Sequence, residues 1–317
     1  MNSTKRIFNV NITRLPKDKL RYKKIQKHDL PSSVDLRSKC PPIFDQGHLG
    51  SCTANALCGI FDYEDKNAWV PSRLFVYYNE RQMEGSVGED AGASLQDGIK
   101  TLEKYGVCPE TMWPYDISKF TVKPSGECYN VAIQNRALAV TNIPDDEVSM
   151  KTSLVSGTPF AVGIAVYESF EAPTVATTGV VPMPDTKREK CVGGHAIVCV
   201  GYNDKTKTWL MRNSWGANWG MDGYFTLPYK YLLDPDLSSD FWNITKLTDY
   251  VPTSSQIPFR PIYSSSSTQN KKDLETLRED ISSIRTDLAE IKAILKDAHV
   301  SSLSEETKTN PKKSWFF

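Results

Sequence analysis

The chain has 317 residues and balances 38 Lys and Arg against 38 Asp and Glu. With 39% hydrophobic residues it has material for one large domain or two ordinary ones, which excludes a wholly disordered or collagen-like chain. The longest apolar runs fall far short of the roughly 18–20 residues that span a bilayer, and a zero balance argues against a nucleic-acid partner.

The zero is a sum of unlike parts. Residues 1–30 form a basic leader, nine Lys or Arg against two Asp or Glu, with little periodicity. No apolar core of a secretory signal is visible in it, which implies an intracellular chain, or a virion-associated one if the source is viral. Residues 31–270 carry the opposite balance, 20 basic against 27 acidic. Such asymmetry reads either as a solvated arm or as one part of the chain docking on another.

Residues 31–250 are dense in aromatics, Gly and Pro and read as the globular body. Residues 53–66, 72–84 and 94–105 repeat apolar positions at helical spacing. Residues 159–166, 195–202, 207–213 and 223–227 read as strands joined by turns. A helical half followed by a β half predicts an α+β, two-lobed body, with a cleft between the lobes as the usual place for a site.

Residues 251–272 are rich in Pro and Ser and read as a linker. In residues 273–299 Leu274, Leu277, Ile281, Ile284, Leu288, Ile291 and Leu295 alternate at spacings of three and four, a heptad seam. Asp273, Asp280 and Asp287 flank it on one side, and Arg278, Arg285 and Lys292 on the other. The matched charges predict a coiled-coil helix that makes the chain a homo-oligomer; packing on its own body is the alternative. Residues 300–317 form a tail ending in Trp315, Phe316 and Phe317.

Seven cysteines are too dilute for a disulfide scaffold, and the number is odd. Mostly reduced thiols are expected. One of them, Cys52, follows Gly50 and Ser51 and falls in the first turn of a predicted helix. The positive end of a helix dipole lowers a thiol pKa there and favours a nucleophilic thiolate. A buried structural cysteine is the other reading.

Histidines are scarce, and His195 stands out. It follows Gly193 and Gly194 and opens an apolar strand. If that strand and the next form a hairpin turning near Asp204, His195 faces Asn213 across it. A carboxamide beside imidazole fixes its ring and tautomer. Trp215 and Trp219 would shield that bond. Gln46, ahead of Cys52, offers an amide that can donate to an oxyanion beside the Cys52 backbone N–H.

Asp45-Gln46-Gly47-His48-Leu49-Gly50-Ser51-Cys52, Gly193-Gly194-His195-Ala196 and Asn213-Ser214-Trp215-Gly216 together resemble the papain family of cysteine peptidases. Leu30 to Arg37 resembles the start of a mature papain-like enzyme. Lys104-Tyr105-Gly106-Val107 and Trp113-Pro114-Tyr115 resemble the family's mid-domain segment. The resemblance covers residues 30 to about 247. It implies a papain-like two-lobed fold, with a helical lobe and a β-barrel-like lobe.

It also implies an endopeptidase that needs neither cofactor nor metal and acts on peptide or protein substrates. By resemblance Cys52 is the nucleophile and His195 its proton partner. Asn213 orients the histidine, Gln46 helps form the oxyanion hole and Trp215 covers the His–Asn contact. Gly92 is placed to bind substrate backbone. Asp240 falls in the region of the S2 pocket, where it would favour a basic P2 residue, or else faces solvent or caps a turn.

The departures are specific. Leu49 stands where the family usually has a disulfide-bonded cysteine, and Thr53 where it has Trp. The leader is far shorter than the usual inhibitory propeptide, so residues 1–30 are expected to be a short propeptide or a free basic arm. The Cys-Thr-Ala-Asn-Ala variant resembles the family's microbial and giant-virus branch. A non-catalytic scaffold assembled by the coiled coil is the main alternative function, and a peptide-ligating variant is a second.

Overall fold

The computed structural model describes residues 10, 30–66 and 68–247. The expected linker 251–272, coiled coil 273–299 and tail 300–317 lie outside the described residues, as does most of the leader.

The body begins with a short strand, β1 (Ser33–Asp35). Four helices follow: α1 (Cys52–Glu64), α2 (Arg73–Glu84), α3 (Leu95–Lys104) and α4 (Gly126–Ala132). The order then alternates as β2 (Ala137–Asn142), α5 (Glu147–Val155), β3 (Phe160–Tyr167), α6 (Pro173–Thr178), β4 (Cys191–Asn203), β5 (Thr208–Arg212), β6 (Tyr224–Pro228), α7 (Tyr229–Leu233) and β7 (Ser238–Leu247). The expected α+β division holds, helices first and sheet second. No described helix is long and apolar enough to cross a membrane.

Local chemistry sets the helix ends. Ser72 caps α2 by accepting from the Phe75 N–H, and Gly85 ends it in the left-handed region at φ 74°. Ser94 caps α3 by accepting from the Asp97 N–H. Each cap satisfies backbone donors that a helix start leaves orphaned. α1 is different: eleven of its residues, Cys52 to Asp62, are buried in an unbroken run. A helix buried all round belongs inside the molecule rather than on its surface. It packs against α2 and α3 on one side and against β3, β4 and β7 on the other.

The seven strands form one antiparallel sheet in the order β2-β7-β3-β4-β5-β6, with β1 added beside β4. The β4–β5 hairpin corrects the expected register. Val198 pairs with Arg212 and Cys199 with Met211, then a bulge shifts the ladder so that Gly201 pairs with Leu210. Lys207 adopts φ 56° in the turn. The hairpin therefore turns later than a symmetric turn near Asp204 allows. Continued one step, that register sets Asn213, just past the end of β5, opposite Ile197 rather than His195, whose partner on the other edge is Ile164 of β3.

Arg212 fastens this hairpin to the start of the body. Its two terminal nitrogens each donate at 2.6 Å, one to the Pro41 carbonyl and one to the Pro42 carbonyl. Hydrogen bonds from a buried cation to carbonyls are among the stronger ones available. The segment that leads to Gln46 is thereby held on the sheet.

Candidate active site

Cys52 opens α1 and has no exposed surface. Burial pushes its thiol up to about 12, and the charge of Glu80 adds to the rise. The backbone N–H groups of Ala196, Thr53 and Cys52 itself pull the other way. The helix-start effect expected from the sequence is thus outweighed by desolvation. A proton acceptor beside the sulfur is needed before a thiolate can form. The Ala196 contact brings the start of β4, and with it His195, to the thiol.

His195 is fully buried, and its Nε2 lies 2.9 Å from Asn213 Oδ1. The same oxygen accepts from the Ser214 N–H at 2.9 Å. That second donor fixes which end of the carboxamide is oxygen, because an NH₂ facing an N–H has nothing to accept. Nε2 must therefore carry the proton, leaving Nδ1 as the acceptor. The side-chain pairing expected from the sequence is present although the strand register is not. Trp215 stacks on the imidazole at 4.8 Å between centroids and 23° between planes. Trp219 and Phe170 pack edge-on against Trp215.

Gln46 is 2% exposed and is held at three points. Its backbone N–H donates to the Ser214 carbonyl at 2.9 Å, its Oε1 accepts from Ser214 Oγ at 2.6 Å, and its Nε2 donates to the Leu49 carbonyl at 3.0 Å. An amide NH₂ has two protons, so one remains to donate elsewhere. Tyr115 donates to the Gln46 carbonyl at 3.0 Å and bonds Ser51 Oγ at 2.5 Å. Ser214 and Tyr115 were inside motifs read from the sequence, yet nothing in the spacing assigned them these contacts.

Val10, a described residue of the leader, lies beside this site. Val10 donates its N–H to the Gly194 carbonyl at 3.2 Å and forms a parallel bridge with Ala93. A Cβ on Gly194 would meet the Val10 carbonyl oxygen at 2.7 Å, so glycine is required before the histidine for a backbone to approach. Gly163 of β3 also faces Val10 Cγ1, at 3.6 Å from where its Cβ would be. Gly92, expected to bind substrate backbone, turns at φ 73° and donates its N–H to Tyr77 Oη at 3.2 Å. The extended pairing falls on the next residue, Ala93. Asp240 is 6% exposed at φ 66°, and its Oδ1 accepts from Trp242 Nε1 at 2.8 Å. That oxygen is committed to the indole of its own strand.

Thr53, which follows Cys52, donates its hydroxyl to Glu80 Oε2 at 2.8 Å, and both residues are fully buried. Glu80 Oε1 has no hydrogen-bond partner among the described residues. Burial lifts this carboxyl to about 8. All seven cysteines are free thiols. Among the described residues no group of His, Cys, Asp and Glu is arranged to hold a metal ion.

Comparison with known proteins gives the same picture over the body. Residues 30–232 match the family described as papain family cysteine protease. An uncharacterized peptidase C1-like protein of Acanthamoeba polyphaga mimivirus is 45% identical over 234 residues, 70% of this chain and 75% of that one. Cysteine proteinase 3 of Entamoeba histolytica is 30% identical over 203 residues, covering 62% of each chain. The crystal structure of xylellain, a cysteine protease from Xylella fastidiosa, superposes with a TM-score of 0.68 at 37% identity. It covers 77% of this chain and 98% of its own.

Proposed function

The chain belongs to the papain family of cysteine proteases, and from that premise we propose that it is an endopeptidase whose nucleophile is Cys52. His195 Nδ1 takes the thiol proton, forming a thiolate–imidazolium pair. Neither group need ionise alone in the buried site, which is how a thiol held up by desolvation still reacts. The thiolate attacks a peptide carbonyl carbon, and the carbonyl electrons move onto oxygen. The Cys52 N–H and the second Gln46 Nε2 proton face that oxyanion. As the tetrahedral adduct collapses, the amine leaves with the imidazolium proton. Water then gives its proton to His195, attacks the thioester and releases the acid and the thiol.

The supporting observation is the fixed donor–acceptor chain from Ser214 through Asn213 to His195. It leaves one imidazole nitrogen as acceptor, on a strand whose next residue, Ala196, reaches the Cys52 thiol through its backbone N–H. Trp215 and its aromatic neighbours keep water from that chain. Substrate backbone is read by Ala93 and Gly194, the two positions that Val10 engages. The leader on this reading is a short propeptide that must leave before a substrate enters.

A fluorogenic peptide and an epoxide inhibitor of cysteine peptidases test this. Turnover and covalent labelling at Cys52 are expected, and both should vanish in Cys52→Ala. Absence of both in the wild-type chain, even with residues 1–29 removed, rejects the proposal.

A further inference from the structure

The family usually ties the turn before the nucleophile to its neighbour by a disulfide from the position of Leu49. Here Leu49 carries no sulfur, and no disulfide exists. Another connection starts one residue later. The Gly50 N–H lies 3.0 Å from both carboxylate oxygens of Asp90. Tyr77 donates its hydroxyl to Asp90 Oδ1 and accepts from the Gly92 N–H. The Tyr77 side chain is fully buried on α2, so it is a fixed post between the two. Arg81, one turn further along α2, grips the same loop by donating Nη1 to the Val87 and Glu89 carbonyls at 3.0 and 2.9 Å.

We propose that Asp90 is a positioning residue that locks the Gly50–Cys52 turn to the Gly92–Ala93 loop through Tyr77, in place of a covalent bridge. This rests on the peptidase reading above. The chain of bonds has two working ends. At one end the Gly50 N–H fixes the turn that aims the Cys52 N–H at the oxyanion. At the other, the Gly92 N–H fixes the bend that presents Ala93 to a substrate backbone. A carboxylate suits the centre because it only accepts, and here it takes an N–H and an O–H at once. In asparagine the NH₂ that takes the place of Oδ2 would face the Gly50 nitrogen at 3.0 Å, donor against donor, so the same geometry is lost. Unlike a disulfide, this lock is indifferent to reducing conditions.

The test uses the full chain and the variants Asp90→Asn, Tyr77→Phe and the double variant, with active sites titrated by the epoxide so that misfolded molecules are not counted. Asp90→Asn should lower kcat/KM at least tenfold, with kcat itself falling, and should change the iodoacetamide alkylation rate of Cys52 several-fold. Tyr77→Phe should raise KM three- to tenfold with kcat within twofold. The double variant should be no more than twofold worse than Asp90→Asn, because both break one chain. Kinetics and alkylation within twofold of wild type for both single variants overturn the lock, and so do fully multiplicative effects. A wild type that alkylates but never cleaves overturns the peptidase reading alone, because the alkylation rates still decide the lock.

Discussion

Glu80 gives a prediction that can be worked to a number. Its carboxyl is fully buried beside the nucleophile helix, with Thr53 donating to Oε2 and Oε1 packed where a Gly98 Cβ would come within 2.5 Å. The charged and titratable groups that act on it or through it are Cys52 and Cys58 of α1, Arg81 and Glu84 of α2, and Asp97 of α3. Desolvation dominates and lifts the group from 4.5 to about 8. An acid with a folded pKa above its unfolded one contributes stability that is full below about 4.5 and is lost as pH rises through about 8. At about 1.4 kcal/mol per unit the window is worth about 2 to 5 kcal/mol, the upper figure being the whole shift.

Glu80→Gln removes the titration and keeps the shape. The assay is urea unfolding at pH 5 and pH 8.5, in a Cys52→Ala background so that self-digestion does not intervene. The parent should lose at least about 2 kcal/mol more between the two pH values than its Gln partner. Glu64, lifted to about 7 by burial, is present in both and cancels. An amide lacking one partner adds a constant offset of about 1–3 kcal/mol without changing the slope. Parallel losses, within about 0.5 kcal/mol, refute the reasoning and mean that the ionised carboxylate finds compensation in the fold.

Three further outcomes are expected. Gln46→Ala should lower kcat about 10²- to 10³-fold with little change in KM, the cost of one oxyanion donor; a fall confined to KM assigns Gln46 to substrate binding instead. Removing residues 1–29 should raise kcat/KM and the alkylation rate of Cys52, and added salt should raise turnover of the intact chain by loosening a basic leader from an acidic body; equal activity with and without the leader removes its inhibitory role. A chain ending at residue 250 should sediment as a monomer, and the full chain as a trimer or tetramer; equal protomer numbers by ultracentrifugation reject self-assembly through 273–299.

The elements that position the site were legible because their signals are local. The helices around Cys52 and the strands around His195 follow from spacing and punctuation, and they lie within a few residues of expectation. The partnership of His195 with Asn213 was also legible, although the register behind it was not. A one-residue bulge between Cys199 and Gly201 and a left-handed Lys207 leave no periodic trace. Glu80 sits in a run, Asn79-Glu80-Arg81-Gln82, that reads as a solvated helix face, yet its first three residues are buried because α2 is covered on that side by α1 and α3. Asp90 gave no sign either. Its partners are a glycine N–H forty residues away and a tyrosine thirteen away, and such contacts exist only after packing. Val10 was hidden for the opposite reason: a single valine in a basic leader has no pattern around it.

The bond between Ser214 Oγ and Gln46 Oε1 joins residues 168 apart in sequence. Arg212 spans nearly the same interval to Pro41 and Pro42. Together they set an order of events during synthesis. A ribosome that has delivered Cys52, its helix and the entire helical lobe has still not made the residues that hold Gln46 in place or fix the imidazole. The thiol of the emerging chain therefore lacks the partners proposed for it until almost the whole body is complete. A protease built this way has no competent half that could attack its own unfinished copies or the factors that attend its translation.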